Sequence, residues 1–213
     1  MDDYLFVTEA TEEDLQDVVE VHQLSFPGFF LSKLGSDFIR SYYKEILRYE
    51  HGHFLVAKKS GHVVGFVTGF EKPQVFYKKL LLSAKSFFVP LIFAILRCPS
   101  IALLITQKIV NLLRYLYSKR NDSKTNLQRR TELSSLAVHP SVQGQGIGSQ
   151  LVQIFIQNCF TCSPVIIYLT TDAEDNEEVN RFYCRLGFDY KGNVDSESGR
   201  VMNKYELFIA EAA

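Results

Sequence analysis

A turn with three glycines in six positions, Gln143-Gly-Gln-Gly-Ile-Gly148, constrains this chain more than any other feature. It lies between a strand-like run, Thr131 to His139, and a helical one in which Ile147, Leu151, Ile154, Phe155 and Cys159 share a face. Glycines at such a junction let backbone N–H groups turn inward. The positive end of the helix adds to them, which suits a pyrophosphate. By itself the turn leaves a phosphate nest and an ordinary tight turn both open. A dinucleotide-binding fold would want the motif after an early strand, whereas here it comes two-thirds of the way along the chain.

The flanking pattern alternates strand and helix. Tyr4 to Thr8 reads as a strand, and Thr11-Glu-Glu-Asp14 opens a helix continued by Leu15, Val18, Val19 and His22. Ser25-Phe-Pro-Gly28 breaks that helix, and a second one from about Ser36 pairs Phe38/Ile39, Tyr42/Tyr43 and Ile46/Leu47 along one side. His53 to Lys59 and His62 to Phe70 are strand-like around a Ser60-Gly61 hairpin turn. Val165 to Thr170 is a continuous apolar run, as a buried central strand requires. Asp175-Asn-Glu-Glu178 caps a helix carrying Val179, Phe182 and Leu186, which Gly187 ends; Phe188 to Val194 and Val201 to Ile209 are the last strands. The order predicts a mixed α/β fold, one sheet with helices on both faces.

At 213 residues and 46% apolar composition, the chain supplies a substantial core in one domain with an elaboration. Four cysteines are too few for a secreted disulfide framework, and the acidic start Met1-Asp2-Asp3 lacks a signal-peptide pattern, so a cytoplasmic setting is expected. Cys159-x-x-Cys162 lacks a second ligand pair, and no metal is expected. The net charge of −1 hides a split: from Lys72 to Arg130 there are twelve cations against one acid, Asp122. That asymmetry points to an anionic partner for one part of the molecule, though nothing in the sequence points to nucleic acid.

Leu136-Ala-Val-His-Pro140 precedes the glycine turn, and Asn176-x-x-Val179-x-x-Phe182-Tyr183-x-x-x-Gly187-Phe188 follows it after one strand. Together these resemble the two signature motifs of the GNAT superfamily of acetyl-CoA-dependent N-acetyltransferases, closely from Thr131 to Phe188 and loosely before that. Val179 stands where the family usually has Ala, and Gln145 where a basic residue is common. The resemblance implies a mostly antiparallel GNAT sheet and acetyl-CoA as cosubstrate. It further implies a pyrophosphate site at Gln143, Gly144, Gln145, Gly146, Ile147 and Gly148. The pantetheine arm would pair with the backbone of Leu136, Ala137 and Val138, and Asn176 would also contact the cofactor. The Ser134-Ser135 pair interrupts the strand's alternation, which fits the bulge that splays this strand in relatives. Glu132 matches the general-base Glu of histone-modifying relatives, and Tyr183 takes the place of the general-acid Tyr. The alternatives are an exposed strand Glu and a core aromatic.

Relatives join the third and fourth strands by a short turn, whereas here residues 71–130 form a basic, apolar, helical insertion. Its runs Phe87 to Leu96 and Ile101 to Ile105 suggest membrane affinity, but Arg97, Pro90 and Pro99 argue against a span. An interfacial helical hairpin on anionic lipid and a packed subdomain, dimerising or not, both stay open. The Phe26-Pro27-Gly28-Phe29-Phe30 loop is expected to border the acceptor site or to plug the core. The expected activity is acetyl transfer to a small-molecule amine, favouring a nucleotide- or lipid-linked amino sugar. A protein or peptide amine is the next reading, and an acyl-CoA-binding or membrane-adaptor module is the non-enzymatic one.

Overall fold

This computed structural model describes residues 4–82, 92, 95–96, 102, 105–107, 110, 129–159, 164–195 and 201–210, and among them seven strands and six α-helices can be bounded. The strands are β1 (Leu5–Glu9), β2 (Gly52–Lys59), β3 (His62–Glu71), β4 (Arg129–Val138), β5 (Val165–Asp172), β6 (Asp189–Asp195) and β7 (Val201–Ile209). The helices are α1 (Leu15–Ser25), α2 (Phe30–Lys33), α3 (Ser36–Leu47), α4 (Pro73–Leu82), α5 (Ile147–Cys159) and α6 (Glu177–Arg185). One sheet runs in the order β1-β2-β3-β4-β5-β7-β6, antiparallel throughout except where β4 lies parallel to β5.

Alternation along the strands delivers side chains to two cores, one on each face of the sheet. On one face α1, α3 and α4 cover Val56, Phe66 and Phe70 with Val18, Ile39, Tyr43, Ile46 and Phe76. On the other, α5 and α6 lay Leu151, Val152, Phe155 and Tyr183 over Val67, Leu133, Ile167 and Leu169. Fully burying one such Phe, Ile or Leu side chain is favourable by about 1.5–3 kcal/mol. The mixed α/β architecture thus follows the sequence pattern, with three local differences. Residues Glu12–Asp14 form a 3-10 turn ahead of α1, closed by the Thr11 N–H donating to the Asp14 carboxylate at 2.9 Å. Phe30–Lys33, expected to be loop, is a short helix. Val179, expected on the apolar side of its helix, is exposed.

Of the inserted segment, α4 packs Phe76 flat against Phe70, with ring centroids 4.1 Å apart. Ile105 is buried against Leu34, joined there by Ile95, Phe30 and Leu31, while Ile92 and Leu96 are exposed. Most of the runs Phe87 to Leu96 and Ile101 to Ile105 lies outside the described residues. Among the described residues no helix is long and apolar enough to cross a membrane.

The segment leaves and re-enters the sheet at one place. Glu71 and Thr131 are partners in the ladder, and the Arg129 guanidinium donates two bonds to the Glu71 carboxylate, one of them from Nε at 2.9 Å. His53 Nε2 lies 3.5 Å from the same carboxylate. Burial works against ionisation of Glu71, but the bonds and charge of Arg129 outweigh it, so the carboxyl sits below its ordinary value. Removing Arg129 leaves the largely buried Glu71 carboxylate with His53 beside it and no full countercharge. Arg129 is about a quarter exposed, which moderates the penalty. Arg129→Met is therefore expected to destabilise the protein by about 2–3 kcal/mol at neutral pH. Urea unfolding should show the deficit shrinking as pH falls toward the ordinary glutamate value of 4.5 and below, because without Arg129 burial favours the protonated Glu71.

Candidate active site

The site begins where the sheet comes apart. β4 and β5 pair from Arg129↔Val165 to Glu132↔Tyr168 and no further, although both strands continue for several residues. Against β3, Thr68 pairs with Ser135 and Gly69 with Leu133, so Ser134 is an extra residue in β4. This bulge puts two consecutive side chains on one face. Ser134 Oγ lies 3.0 Å from the Tyr42 hydroxyl, and Ser135 bonds the Tyr43 hydroxyl, both from α3. Gly69 allows the close approach, since a Cβ there would lie 2.3 Å from the Glu132 carbonyl oxygen and 2.5 Å from the Phe155 ring.

Beyond the bulge, the His139 N–H donates to the Val64 carbonyl. Antiparallel alternation then turns the backbone groups of Leu136 and Val138 away from β3, into the gap that β5 has vacated. The Val138 carbonyl is engaged by Gln143 Nε2 at 3.0 Å and Ser25 Oγ at 3.2 Å. An extended amide-bearing chain such as pantetheine fits the remaining edge, donor to acceptor, like an added strand.

At the end of β4 the chain makes a 3-10 turn, Pro140–Val142, and then the glycine turn that starts α5. Gly144 and Gly146 have φ of 77° and 80°, a region that favours glycine, and a Cβ at either would meet nothing within 4 Å. Their surroundings are open rather than packed. The first α5 amides, of Ile147, Gly148 and Ser149, have no partner among the described residues, whereas Gln150 already bonds the Gly146 carbonyl. Open space, aimed amides and a helix N-terminus of thirteen residues suit a pyrophosphate.

Glu132 is the last β4 residue paired with β5. Its carboxylate accepts from the Tyr77 hydroxyl of α4 at 2.8 Å and from the Tyr168 hydroxyl of β5 at 2.9 Å. Burial pushes the carboxyl above its ordinary value, and the two tyrosine bonds pull partway back. Tyr183 lies 6% exposed between Phe182, Phe188 and Tyr205, and burial raises its hydroxyl well above the usual tyrosine value, keeping it protonated. That hydroxyl has no hydrogen-bond partner among the described residues. Asn176 directs its side-chain N–H groups to Thr171 Oγ1 at 2.7 Å and to the Asp172 carbonyl at 3.1 Å, fastening the start of α6 to the end of β5.

The structure therefore brings Glu132 and the Leu136–Val138 edge onto one strand and puts the glycine turn at its end, while Tyr183 and Asn176 stand on the helix after β5. Sequence reasoning missed Tyr77 and Tyr168 as partners of Glu132. Tyr168 carried a usable signal, a polar-tipped residue within the apolar run Val165 to Leu169. Nothing in the sequence near Tyr77 points to Glu132, fifty-five positions later. The Phe26–Phe30 loop divides: Phe26 packs on His22 at 4.9 Å between ring centroids, and Phe29 is exposed.

Residues 99–188 match the family model described as "Acetyltransferase (GNAT) family". No curated protein sequence matches the chain. Among solved structures, a GNAT-family acetyltransferase structure from Desulfovibrio desulfuricans is 16% identical, with a TM-score of 0.60 over 96% of this chain and 98% of that one. Drosophila melanogaster polyamine N-acetyltransferase is 12% identical, with a TM-score of 0.62 over 97% and 100%. The Escherichia coli ribosomal-protein-S18-alanine N-acetyltransferase is 13% identical, with a TM-score of 0.57 over 99% and 97%. At these identities the likeness is one of fold. The family-model match spans β4, the glycine turn, α5, β5 and α6, where the two motifs stand, and the chain resembles GNAT-family acetyltransferases over that region and in its fold.

Proposed function

We propose that the enzyme transfers acetyl from acetyl-CoA to a primary amine by direct attack, with Glu132 as general base and Tyr183 as general acid. Residues 1–213 form one catalytic unit in this reading, with 71–130 as an insert. The observation that carries it is the Glu132 carboxylate at the point where β4 and β5 part. A thioester lying along the open edge of β4 would meet an amine beside that carboxylate. Bound acetyl-CoA supplies the acetyl group and its leaving thiol. Glu132 takes a proton from the arriving ammonium, freeing the lone pair that attacks the thioester carbonyl. Backbone N–H groups after the bulge stabilise the charge that develops on the carbonyl oxygen. As the carbon–sulfur bond breaks, Tyr183 gives its proton to the departing sulfur, and the extra proton on the new amide nitrogen restores the tyrosine hydroxyl.

The acceptor proposed is an amino sugar carried on a nucleotide or lipid phosphate. Its support is the charge of the inserted segment, twelve cations against one acid between Lys72 and Arg130. Thiol release from acetyl-CoA, followed over nucleotide-linked amino sugars, free amino sugars, polyamines and peptides, tests this. Turnover confined to polyamines or peptides overturns the acceptor class and leaves the chemistry standing. For the acid, Tyr183→Phe is expected to lower kcat by about 10²-fold while coenzyme A affinity stays nearly constant. An unchanged kcat removes Tyr183 from the reaction.

A further inference from the structure

We infer that Tyr77 of α4, together with Tyr168, is a positioning residue for Glu132: the inserted segment holds the catalytic carboxylate in its anionic, proton-accepting state. The inference rests on Glu132 being the base and adds what prepares it. A carboxylate has two oxygens, and here each accepts one tyrosine hydroxyl, Oε1 from Tyr77 and Oε2 from Tyr168. A phenol only 2.8 or 2.9 Å from each oxygen fixes the plane of the group. Each bond also favours the charged form over the neutral acid.

Among the described residues, the elements packed around Glu132 bring few other titratable groups. α3 brings Tyr42, whose hydroxyl is joined to Ser134. β3 places Phe70 opposite Glu132 in the ladder. Arg130, two residues away on the same strand, lies over the Tyr168 ring at 5.1 Å and is paired with Glu206, which also meets Lys204 at 2.8 Å. The positive charge nearest Glu132 along β4 is thus already neutralised, and the two phenols are the contacts that oppose the effect of burial on its carboxylate. Tyr77 is held for this by its own ring, which stands edge-on to Phe70 at 5.5 Å. Phenylalanine keeps that contact and removes only the hydroxyl.

The geometry also gives the insertion a role in the chemistry. α4 follows β3 directly, so one of its side chains can reach the parting of β4 and β5. Any change that lifts α4 from Phe70 withdraws a hydrogen bond from the base.

The experiment compares kcat/KM against pH for the parent, Tyr77→Phe, Tyr168→Phe and Glu132→Gln, with acetyl-CoA and the best amine found in the acceptor panel. Coenzyme A affinity is measured alongside by calorimetry. The parent is expected to show an acid limb from the carboxyl that Glu132→Gln lacks, the variant's activity rising only at higher pH as the amine itself deprotonates. Tyr77→Phe and Tyr168→Phe should each move that limb to higher pH, lowering kcat/KM about tenfold on its acidic side, with the plateau and the coenzyme A affinity unchanged. If Glu132→Gln retains the limb, Glu132 is not the base and the proposed mechanism falls. If Glu132→Gln loses the limb while both tyrosine variants keep it in place, the mechanism stands and the positioning role is overturned. A uniform loss at every pH for both variants also overturns it, since a packing defect would act that way. Should Tyr77→Phe not fold, Tyr168→Phe decides the question by the same reading.

Discussion

Aspartate in place of Gly146 is expected to abolish coenzyme A binding, with affinity down at least a hundredfold by calorimetry on folded protein. Two causes act together and neither is crowding, because a Cβ at this position would meet nothing within 4 Å. The first is conformation: φ is 80°, and a side-chain-bearing residue held there costs about 1–2 kcal/mol. The second is charge. A carboxylate beside the first amides of α5 occupies the donors a pyrophosphate would use and repels it. Gly146→Ala separates the two, since it has the strain without the charge and should lose only about tenfold. Equal affinities for the parent and the aspartate variant would show that the phosphates bind elsewhere.

Glu132→Gln is expected to lower kcat/KM by about 10²–10⁴-fold near neutral pH, with the loss shrinking as rising pH deprotonates the amine itself. The same substitution should make the protein more stable. The carboxyl is raised by burial, so in the interval above the ordinary glutamate value of 4.5 the folded chain retains a proton that the unfolded chain has released. Stability therefore falls as pH rises through that window. Glutamine carries no charge to bury and still offers an oxygen to one tyrosine. Its melting temperature should exceed the parent's at pH 7, and the difference should close below pH 4.5. A variant less stable than the parent at neutral pH would mean that the carboxylate is not held against its own desolvation.

Strands and helices were legible because their apolar periods are long and distinct. The six-residue run Val165 to Thr170 and the alternation of β7 needed no tertiary information. The bulge was legible too, as a serine pair breaking the pattern of β4. With Ser134 extra, Leu133, Leu136 and Val138 all reach the α5 face, which a regular strand would not allow. The partners of Glu132 were not legible. Hydrogen bonds between residues 36 and 55 positions apart depend on how α4 and β5 converge, and no local pattern encodes that convergence. Asn176 shows the same limit: its place before α6 was readable, but not that its side-chain N–H groups are committed to Thr171 and Asp172.

Glu71 and Arg129 give the fold an attachment port. Fifty-seven residues, 72–128, leave and return at adjacent rungs of one ladder, so the sheet meets them as it would meet a hairpin turn. In polymer terms the difference is small. Closing a loop costs only about 0.6 kcal/mol more for each doubling of its length, or about 2 kcal/mol between a four-residue turn and this one. That is a minor fraction of the roughly 5–15 kcal/mol by which a domain is stable, so extra length at this position is tolerated. A lineage could extend the turn gradually and keep a folded enzyme at every step. On α4, a single tyrosine is enough to bring the inserted sequence into contact with the Glu132 carboxylate.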